Sequence, residues 1–405
     1  MALIHPTGRP AGLRGRHGTR YGREVRVSRR TLESEWRALW RDTAEGCGLA
    51  RVVHVAAGVT VSVPRIGGLR LDRHGRVTSV TVQRHPGQRL ADYRAVAGQL
   101  ADALGVARVR LDDLGADRWM RLHLLDVDPL TDSWDWHTCL PDGFIAETEE
   151  GRLFSLPWER RPHTVVQGTT GSGKSWWVYA QLAALASRPG QPALDDQLEL
   201  SHRPDVLVAG LDPSGVLWRP WDGAPGEKWR VSGLRGDLTE HRRVLAELCD
   251  EMDRRLALLP ADRDVLATGA ETPLLVVVLE EYAALIRAAE LVDRKVGQEV
   301  RSRVGRLFAE GRKVGVRVLV VLQRADATVF DGAIRAQATL RISFASEADG
   351  IAMLHPRAAV DPDEHAIAEP GVAVVTAPRV GTLRVRSRRL DYAAYVAAVR
   401  SGIRP

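Results

Sequence analysis

The chain has 405 residues, of which 44% are hydrophobic and 27% charged, and its formal net charge is +6. This composition is ordinary for a globular protein, and the length suggests two or three domains. No signal peptide and no run of about 18 apolar residues is visible, so we expect no transmembrane segment and a cytoplasmic location, at most peripheral at the membrane. Three widely spaced cysteines, with no C-x-x-C pair, favour reduced structural thiols.

Residues 1–30 are predicted to be a disordered basic tail. They contain eight arginines and one acidic residue, with frequent Gly and Pro and no hydrophobic period. Such a tail can bind DNA phosphates or anionic lipid head groups, or it can be solvated without a partner. Because only four of the 57 basic residues in the chain are lysines, arginine abundance follows codon usage and does not by itself indicate nucleic acid.

Residues 31–130 are predicted to form a small α/β accessory module. A first amphipathic helix, two alternating strands, a second helix ending at Gly105 and two further strands follow one another, with Gly67 and Gly68 placed in turns. No nucleophile–base pair or metal-ligand spacing occurs here, so we expect no chemistry. The inward-facing helix residues are expected to be Leu32, Trp36, Leu39, Trp40, Tyr93, Val96, Leu100 and Leu104.

Residues 131–160 are predicted to be a connector that contains Trp134 and Trp136. Within it, FIAETEEGRLFSL has the pattern of a hairpin that turns at Glu150–Gly151.

A phosphate-binding loop is predicted where GTTGSGKS fits the pattern G-x-x-x-x-G-K-[ST]. The strand HTVVQ leads into it and the helix SWWVYAQLAALA leaves it, which directs the helix N-terminus at an anion. Glycines allow successive backbone N–H groups to face phosphate oxygens, while lysine adds charge and the serine hydroxyl is a magnesium ligand. The residues expected to bind ATP are Gly168, Thr169, Thr170, Gly171, Ser172, Gly173, Lys174 and Ser175, with Mg²⁺ on Ser175.

Near-continuous apolar strands separated by helices predict a parallel sheet covered on both faces. Two such strands end at Glu280–Glu281 and at Gln323, and a third ends at Asp212. The carboxyl ends of these strands meet at one edge of the sheet, where Lys174 also lies. We therefore expect Glu280 to bind the metal, Glu281 to polarise the attacking water and Gln323 to sense the γ-phosphate. The alternative interpretation is that Glu280 and Glu281 are exposed acids with no catalytic role, placed where a strand ends and a helix begins because the helix dipole favours acids there.

From about Pro162 to Phe344 the chain resembles the FtsK/SpoIIIE group of DNA-pumping ATPases. The matched stretches, in order, are PHTVVQGTTGSGKS, GLDPSG, EMDRRLALL, VVVLEEYAAL and GRKVGVRVLVVLQRADATVFDGAIRAQATLRISF. Two departures are Ser214, where the family usually has lysine, and Glu280, where it usually has aspartate. We expect neither the family's membrane-spanning N-terminus nor its C-terminal winged helix in this chain. In that respect the chain resembles transfer proteins of actinobacterial plasmids and integrative elements.

The resemblance implies an α/β fold with a RecA-like P-loop core over residues 161–345. The stretch EPGVAVVTAPRVGTLRVRSRRLDY has the pattern of a β-hairpin followed by a short helix, so residues 346–405 are expected to extend the core. The resemblance also implies a homo-hexameric ring that moves along double-stranded DNA, with a neighbour's arginine stabilising charge at the transferred phosphoryl group. Arg312, Arg324 and Arg341 are the candidates. A membrane-anchored partner protein is a further expectation.

Three functions stay open at this point. The first is an ATP-driven double-stranded DNA translocase for conjugative transfer or partition of a mobile element. The second is a type VII secretion-like ATPase that moves protein, although this chain has one phosphate loop where such motors have several. The third is a nucleotide-binding adaptor that does not hydrolyse ATP, which the Glu280 departure invites.

Overall fold

The computed structural model describes residues 3–6, 29–55, 58–73, 75–115, 117–131, 143–186, 206–234, 236–269, 271–326, 328–356, 360 and 362–403. Most of the predicted basic tail, both connector tryptophans and residues 187–205 lie outside these ranges. By its contacts the chain divides into two units: one comprises Met1–His5, Leu130–Thr148 and Leu153–Pro405, and the other Pro6–Pro129 and Glu149–Arg152. Among the helices described, none is both long enough and apolar enough to cross a bilayer.

Elements are numbered in chain order. The strands are β1 (Leu3–Pro6), β2 (Arg51–Val55), β3 (Gly58–Ser62), β4 (Arg65–Leu71), β5 (Val77–Gln83), β6 (Arg108–Asp113), β7 (Trp119–Leu125), β8 (Phe144–Thr148), β9 (Arg152–Ser155), β10 (Thr164–Gln167), β11 (Val206–Asp212), β12 (Arg230–Ser232), β13 (Leu274–Leu279), β14 (Val316–Leu322), β15 (Leu340–Phe344), β16 (Val372–Ala377) and β17 (Gly381–Arg386). The helices are α1 (Arg29–Gly46), α2 (Leu90–Ala95), α3 (Ala97–Ala103), α4 (Lys174–Ala186), α5 (Thr239–Ala257), α6 (Tyr282–Val292), α7 (Arg294–Glu310), α8 (Gly332–Gln337), α9 (Ala348–Leu354), α10 (Pro362–Ala366) and α11 (Tyr392–Ile403).

The smaller unit contains an antiparallel sheet in the order β4-β5-β7-β6, with β2 and β3 paired separately as a hairpin. The second predicted helix is divided into α2 and α3, because Val96 leaves helical geometry at φ −110°, ψ 15°. Gly67 and Gly68 lie inside β4 and not in a turn. A Cβ at Gly67 would overlap the ring of Trp119, so the glycine makes room for that side chain. Leu39 was predicted to face the core, but its side chain is 39% exposed, so this prediction is wrong.

The larger unit is built on a sheet of eleven strands in the order β1-β9-β8-β17-β16-β15-β10-β14-β13-β11-β12. The six strands from β15 to β12 pair in parallel, and β16, β17, β8 and β9 extend the sheet in antiparallel pairs. Strands β13 and β14 are buried along their whole length, as their unbroken apolar sequences predict. The predicted α/β class with a parallel P-loop core is confirmed.

Helices cover both faces of this sheet. On one face α4 and α11 pack over a core that includes Val166, Trp177 and Tyr395. On the other, α5, α6 and α7 pack over a core that includes Leu248, Met252 and Leu307. The MDRR stretch is explained by this packing, because Met252 is in the core and the Arg255 guanidinium is held by Glu251 Oε1 at 2.7 Å and by the carbonyl of Pro273 at 2.8 Å.

Both predicted hairpins form, and both belong to the large sheet. β8 pairs with β9, and β16 pairs with β17. Residues 143–148 and 153–160 are therefore part of the larger unit and not of a separate connector. The physical reason is apolar burial, since Phe144, Ile145 and Phe154 lie in the interior.

Candidate nucleotide-binding and catalytic site

The predicted phosphate loop is the turn between β10 and α4. Gly173 has φ +92°, a region that L-residues rarely adopt, and a Cβ there would overlap the backbone of Gly371. A Cβ on Gly168 would lie 2.6 Å from Ser172 Oγ. The two glycines thus permit a tight loop that opens on the N-terminus of a thirteen-residue helix.

Two neighbouring strands hold the loop from outside. Thr169 donates to the carbonyl of Ala345 from its backbone N–H at 2.9 Å and from its hydroxyl at 3.0 Å. On the other side, the Gly371 N–H donates to the Ser172 carbonyl at 2.8 Å. The loop is therefore fixed in position before any ligand contact is considered. Thr169, Thr170, Gly171 and Ser175 are exposed, whereas Gly168, Ser172, Gly173 and Lys174 are buried.

Lys174 connects the phosphate loop with two other strands. Its Nζ donates to the carbonyls of Gly168 and of Leu322, each at 3.2 Å, and lies 3.9 Å from Glu281 Oε1. Burial lowers the pKa of Lys174, and the Glu281 and Glu280 carboxylates oppose that effect. The ammonium thus lies at the carboxyl edge of the sheet, as predicted, with two of its contacts made to neutral carbonyls.

Glu281 and Gln323 meet beside Lys174. Gln323 Nε2 donates to Glu281 Oε1 at 3.1 Å. Glu281 precedes α6 with φ 45°, ψ 43°, a left-handed conformation that costs a non-glycine residue about 1–3 kcal/mol and is concentrated at functional sites. The structure thus brings two of the side chains for which the sequence predicts a catalytic role together with the lysine that is predicted to bind phosphate.

Glu280 is directed into a cavity on the same edge. The cavity is lined by Ser175, Tyr179, Ser214, Leu217 and Glu280, among others. Burial, reinforced by Glu281 and Asp212, raises the pKa of Glu280 to about 8. Its Oε2 is buried and makes no hydrogen bond within the described part of the chain. A buried acceptor facing the loop serine is what a divalent cation between phosphate and protein would use.

Asp212 does not face this cavity as a free carboxylate. It is fully buried, and it accepts from Ser214 Oγ at 2.5 Å, from the Gly215 N–H at 3.0 Å and from the Leu217 N–H at 2.6 Å. Its role is to hold the turn that follows β11. Ser214, the departure from the family pattern, contributes one of these bonds.

Two candidate arginines lie in very different surroundings. Arg312 is exposed on the 3₁₀ turn before β14, at the amino end of that strand and so away from the phosphate loop of its own chain. Arg341 is half-buried in β15, and its guanidinium donates to the carbonyls of Ala338, Leu354 and Arg335 at 2.9–3.0 Å. That geometry favours a structural role for Arg341.

Arg324 is the third candidate. It is exposed and pairs with Glu347 Oε2 at 2.6 Å and with Asp349 Oδ2 at 3.3 Å. A surface pair of this kind contributes only about 0–1 kcal/mol, so the side chain is free to exchange partners.

A second layer of residues, not singled out by the sequence, supports the cavity. Tyr395 of α11 donates to the carbonyl of Leu217 and accepts from Trp221 Nε1, both at 2.8 Å, and its ring stacks on Tyr179 at 4.7 Å. Tyr392 OH donates to the carbonyl of Val216 at 3.1 Å. The only sequence signal was the spacing of two tyrosines on one face of the last helix.

No family model matches the chain. The DNA translocase FtsK of Mycobacterium tuberculosis is 24% identical over 302 residues, which cover 67% of this chain and 34% of that protein. The DNA translocase SftA of Bacillus subtilis is 27% identical over 205 residues, covering 48% of this chain and 19% of SftA. The chain therefore spans about a third of the FtsK sequence, and less of SftA.

Among solved structures, the pCW3 conjugation coupling protein TcpA, determined as a monomer with ATPγS, aligns with a TM-score of 0.52 at 18% identity. The alignment covers 87% of this chain and 95% of TcpA, and it indicates a common fold. The P-loop core of this chain therefore resembles the FtsK/SpoIIIE DNA translocases, as its motifs predict, and a conjugation coupling protein has the same fold.

Proposed function

We propose that this chain hydrolyses ATP at the site between the phosphate loop and Glu281. The observation that carries the proposal is the convergence of Lys174, Glu281 and Gln323 at the carboxyl edge of the sheet. Lys174 exchanges its carbonyl contacts for β- and γ-phosphate oxygens, which compensate its buried charge better than neutral carbonyls do. Glu281 then acts on the attacking water and Gln323 on the γ-phosphate.

Mg²⁺ fits the same edge of the sheet. Within the described residues no group of three His, Cys, Asp or Glu side chains is arranged to hold a metal by itself. Mg²⁺ in nucleotide sites takes few protein ligands and completes its shell with phosphates and water. Ser175 and Glu280, which line one cavity, are the residues that hold it in this proposal. When bound there, Mg²⁺ would supply positive charge against the charge that develops on the phosphate oxygens.

We further propose that hydrolysis drives movement along double-stranded DNA, in a homo-hexameric ring whose sites are completed by an arginine of a neighbouring subunit. Similarity to two DNA translocases supports the substrate, and similarity of fold to a conjugation coupling protein supports a role in transfer of a mobile element. Such a ring grips the duplex through its phosphates, largely without regard to sequence.

The test is ATP turnover by the purified protein with increasing linear duplex DNA. We expect turnover to rise at least about tenfold with DNA and to fall steeply between 50 and 200 mM salt, because phosphate contacts are screened. Lys174→Ala is expected to remove turnover with and without DNA.

Two other outcomes would contradict the proposal in different ways. If the rate of ATP turnover does not change with DNA but rises with a peptide substrate, the chain is an ATPase that moves protein. Tight ATP binding without turnover under any condition would indicate a nucleotide-gated adaptor.

A further inference from the structure

A buried chain of hydrogen bonds begins directly behind the phosphate loop, at Gln167. The Gln167 side chain is fully buried; its Oε1 accepts from the Ala325 N–H and its Nε2 donates to Ser343 Oγ, both at 2.8 Å. Ser343 Oγ lies 2.8 Å from His355 Nε2, and His355 Nδ1 lies 2.7 Å from Thr376 Oγ1. Every one of these groups is removed from the surface or half-buried.

The first bond fixes the orientation of the Gln167 amide. A backbone N–H can only donate, so the Gln167 oxygen must face Ala325 and its amide nitrogen must face Ser343. A hydroxyl can accept two hydrogen bonds, so the tautomer of His355 sets the two remaining directions. With the ring proton on Nδ1, Ser343 donates to His355 Nε2 and His355 donates to Thr376. Burial lowers the pKa of His355 to about 3, which keeps the ring neutral, as this pattern requires.

The chain connects the elements that form the nucleotide site. Gln167 is the last residue of β10 and precedes Gly168 of the phosphate loop. Ala325 follows Gln323 by two residues on the segment that leaves β14. Ser343 lies two residues before Ala345, whose carbonyl holds Thr169. One amide thus joins the strand that leads into the phosphate loop to the segment that carries Gln323.

We propose that Gln167 is a positioning residue for nucleotide sensing. Its Oε1 accepts from the Ala325 N–H, and its amide group is bonded to Ser343, which is bonded in turn to His355. These bonds fix the segment that carries Gln323, so that the Gln323 side chain is level with the γ-phosphate above the loop. This inference rests on the proposed ATP site, and it adds a residue that does not touch the nucleotide. An aliphatic side chain at position 167 would fill the same volume but would leave the Ala325 N–H without its acceptor.

The test compares nucleotide affinities of the full chain. Gln323→Ala and Gln167→Met are each expected to reduce the preference for ATPγS over ADP about tenfold, the scale of one hydrogen bond to a charged group. The double variant is expected to lose no more than either single variant, because both act through the same contact. Gln181→Met is the matched control, since Gln181 is an equally buried glutamine that bonds to Phe144 and Arg161 instead.

Gln181→Met should lower thermal stability as Gln167→Met does and leave the ATPγS preference unchanged. Additive losses in the double variant, or an unchanged preference in either single variant, would overturn the inference. DNA is not present in this experiment, so a failure of DNA to stimulate turnover contradicts the translocase proposal alone.

A second readout is the tautomer of His355 in ¹⁵N-histidine NMR spectra. We expect the Nδ1–H form in the wild type at pH 7, and a mixture of tautomers in Ser343→Ala, which removes the donor to Nε2. An Nε2–H form in the wild type would show that Ser343 does not donate to His355, and it would contradict the hydrogen-bond chain on which the inference rests.

Discussion

Lys174 Nζ lies 3.9 Å from Glu281 Oε1, and the same carboxylate oxygen accepts a hydrogen bond from Gln323 at 3.1 Å. One carboxylate thus contacts both the lysine of the phosphate loop and the proposed γ-phosphate sensor. A ligand that attracts Lys174 must change the surroundings of Glu281 and Gln323 in the same step. In the proposed mechanism, nucleotide binding and catalysis are therefore coupled through Glu281.

Glu281→Gln is expected to lower kcat about 10²–10⁴-fold, because an amide cannot accept the proton of the attacking water. The Kd for ATPγS should change by less than about threefold, since Lys174 and the loop amides remain. Glu290→Gln is the matched control, as Glu290 is an exposed acid of α6 that pairs with Arg301. Unchanged turnover in Glu281→Gln would remove Glu281 from the mechanism.

Glu280→Gln is expected to stabilise the fold while it removes Mg²⁺-dependent turnover. The pKa of Glu280 is raised to about 8, so the folded protein binds a proton that the unfolded chain releases near pH 4.5. The free energy of unfolding of the wild type therefore falls as the pH rises from about 4.5 to about 8. The Glu280→Gln variant cannot titrate at this position, so its free energy of unfolding does not fall for this reason. At pH 8 we expect a gain of about 1–3 kcal/mol.

Urea unfolding of wild type and Glu280→Gln at pH 5.5 and pH 8 measures this difference. A gap between the two proteins that does not widen with pH would show that Glu280 titrates as an ordinary surface acid.

Arg312→Ala and Arg341→Ala are expected to separate a role in trans from a structural role. Arg341→Ala leaves three carbonyls without their donor and should cost about 2–4 kcal/mol of unfolding free energy. Arg312→Ala changes an exposed side chain and should alter stability by about 0.5 kcal/mol or less. If Arg312 acts on the neighbouring site, its loss lowers kcat about 10³-fold.

Denaturant midpoints and ATP turnover of the two variants decide between these roles. If the Arg341→Ala variant is stable but inactive and the Arg312→Ala variant is fully active, Arg341 is the catalytic arginine and Arg312 is not.

Tyr395→Phe is expected to destabilise the larger unit more than Tyr392→Phe does. The Tyr395 hydroxyl is buried and bonded to both Leu217 and Trp221, so its loss leaves two buried groups unpaired and costs about 2–3 kcal/mol. Tyr392 is half-buried and has one bond, to Val216, so its loss costs about 1 kcal/mol or less. Thermal unfolding of the two variants tests the order, and equal losses would contradict the support that we assign to α11.

The strands of the P-loop core were predictable because they are buried on both faces and therefore have unbroken apolar sequences, as in β13 and β14. The phosphate loop was predictable because its chemistry needs glycines at fixed spacing. Local patterns also predicted both hairpins. They did not predict that β16, β17, β8 and β9 extend the large sheet, since pairing between distant strands leaves no periodic signal.

The surroundings of single side chains were not predictable either. Asp212 and Glu280 are both acids at the ends of buried strands, yet one is bonded to its own turn and the other is directed into a cavity. Gln167 is one polar residue at the end of an apolar strand, and nothing in the sequence connects it with Ala325 or Ser343 far along the chain. Such partners follow from strand order, which a single sequence does not specify.

The most direct test of DNA translocation is displacement of a third strand from a DNA triplex by the purified protein. A motor that moves along the duplex must strip the third strand as it passes. We expect displacement with ATP, none with ATPγS, and none for Lys174→Ala with ATP. Vigorous DNA-stimulated ATP hydrolysis without displacement of the third strand would contradict translocation.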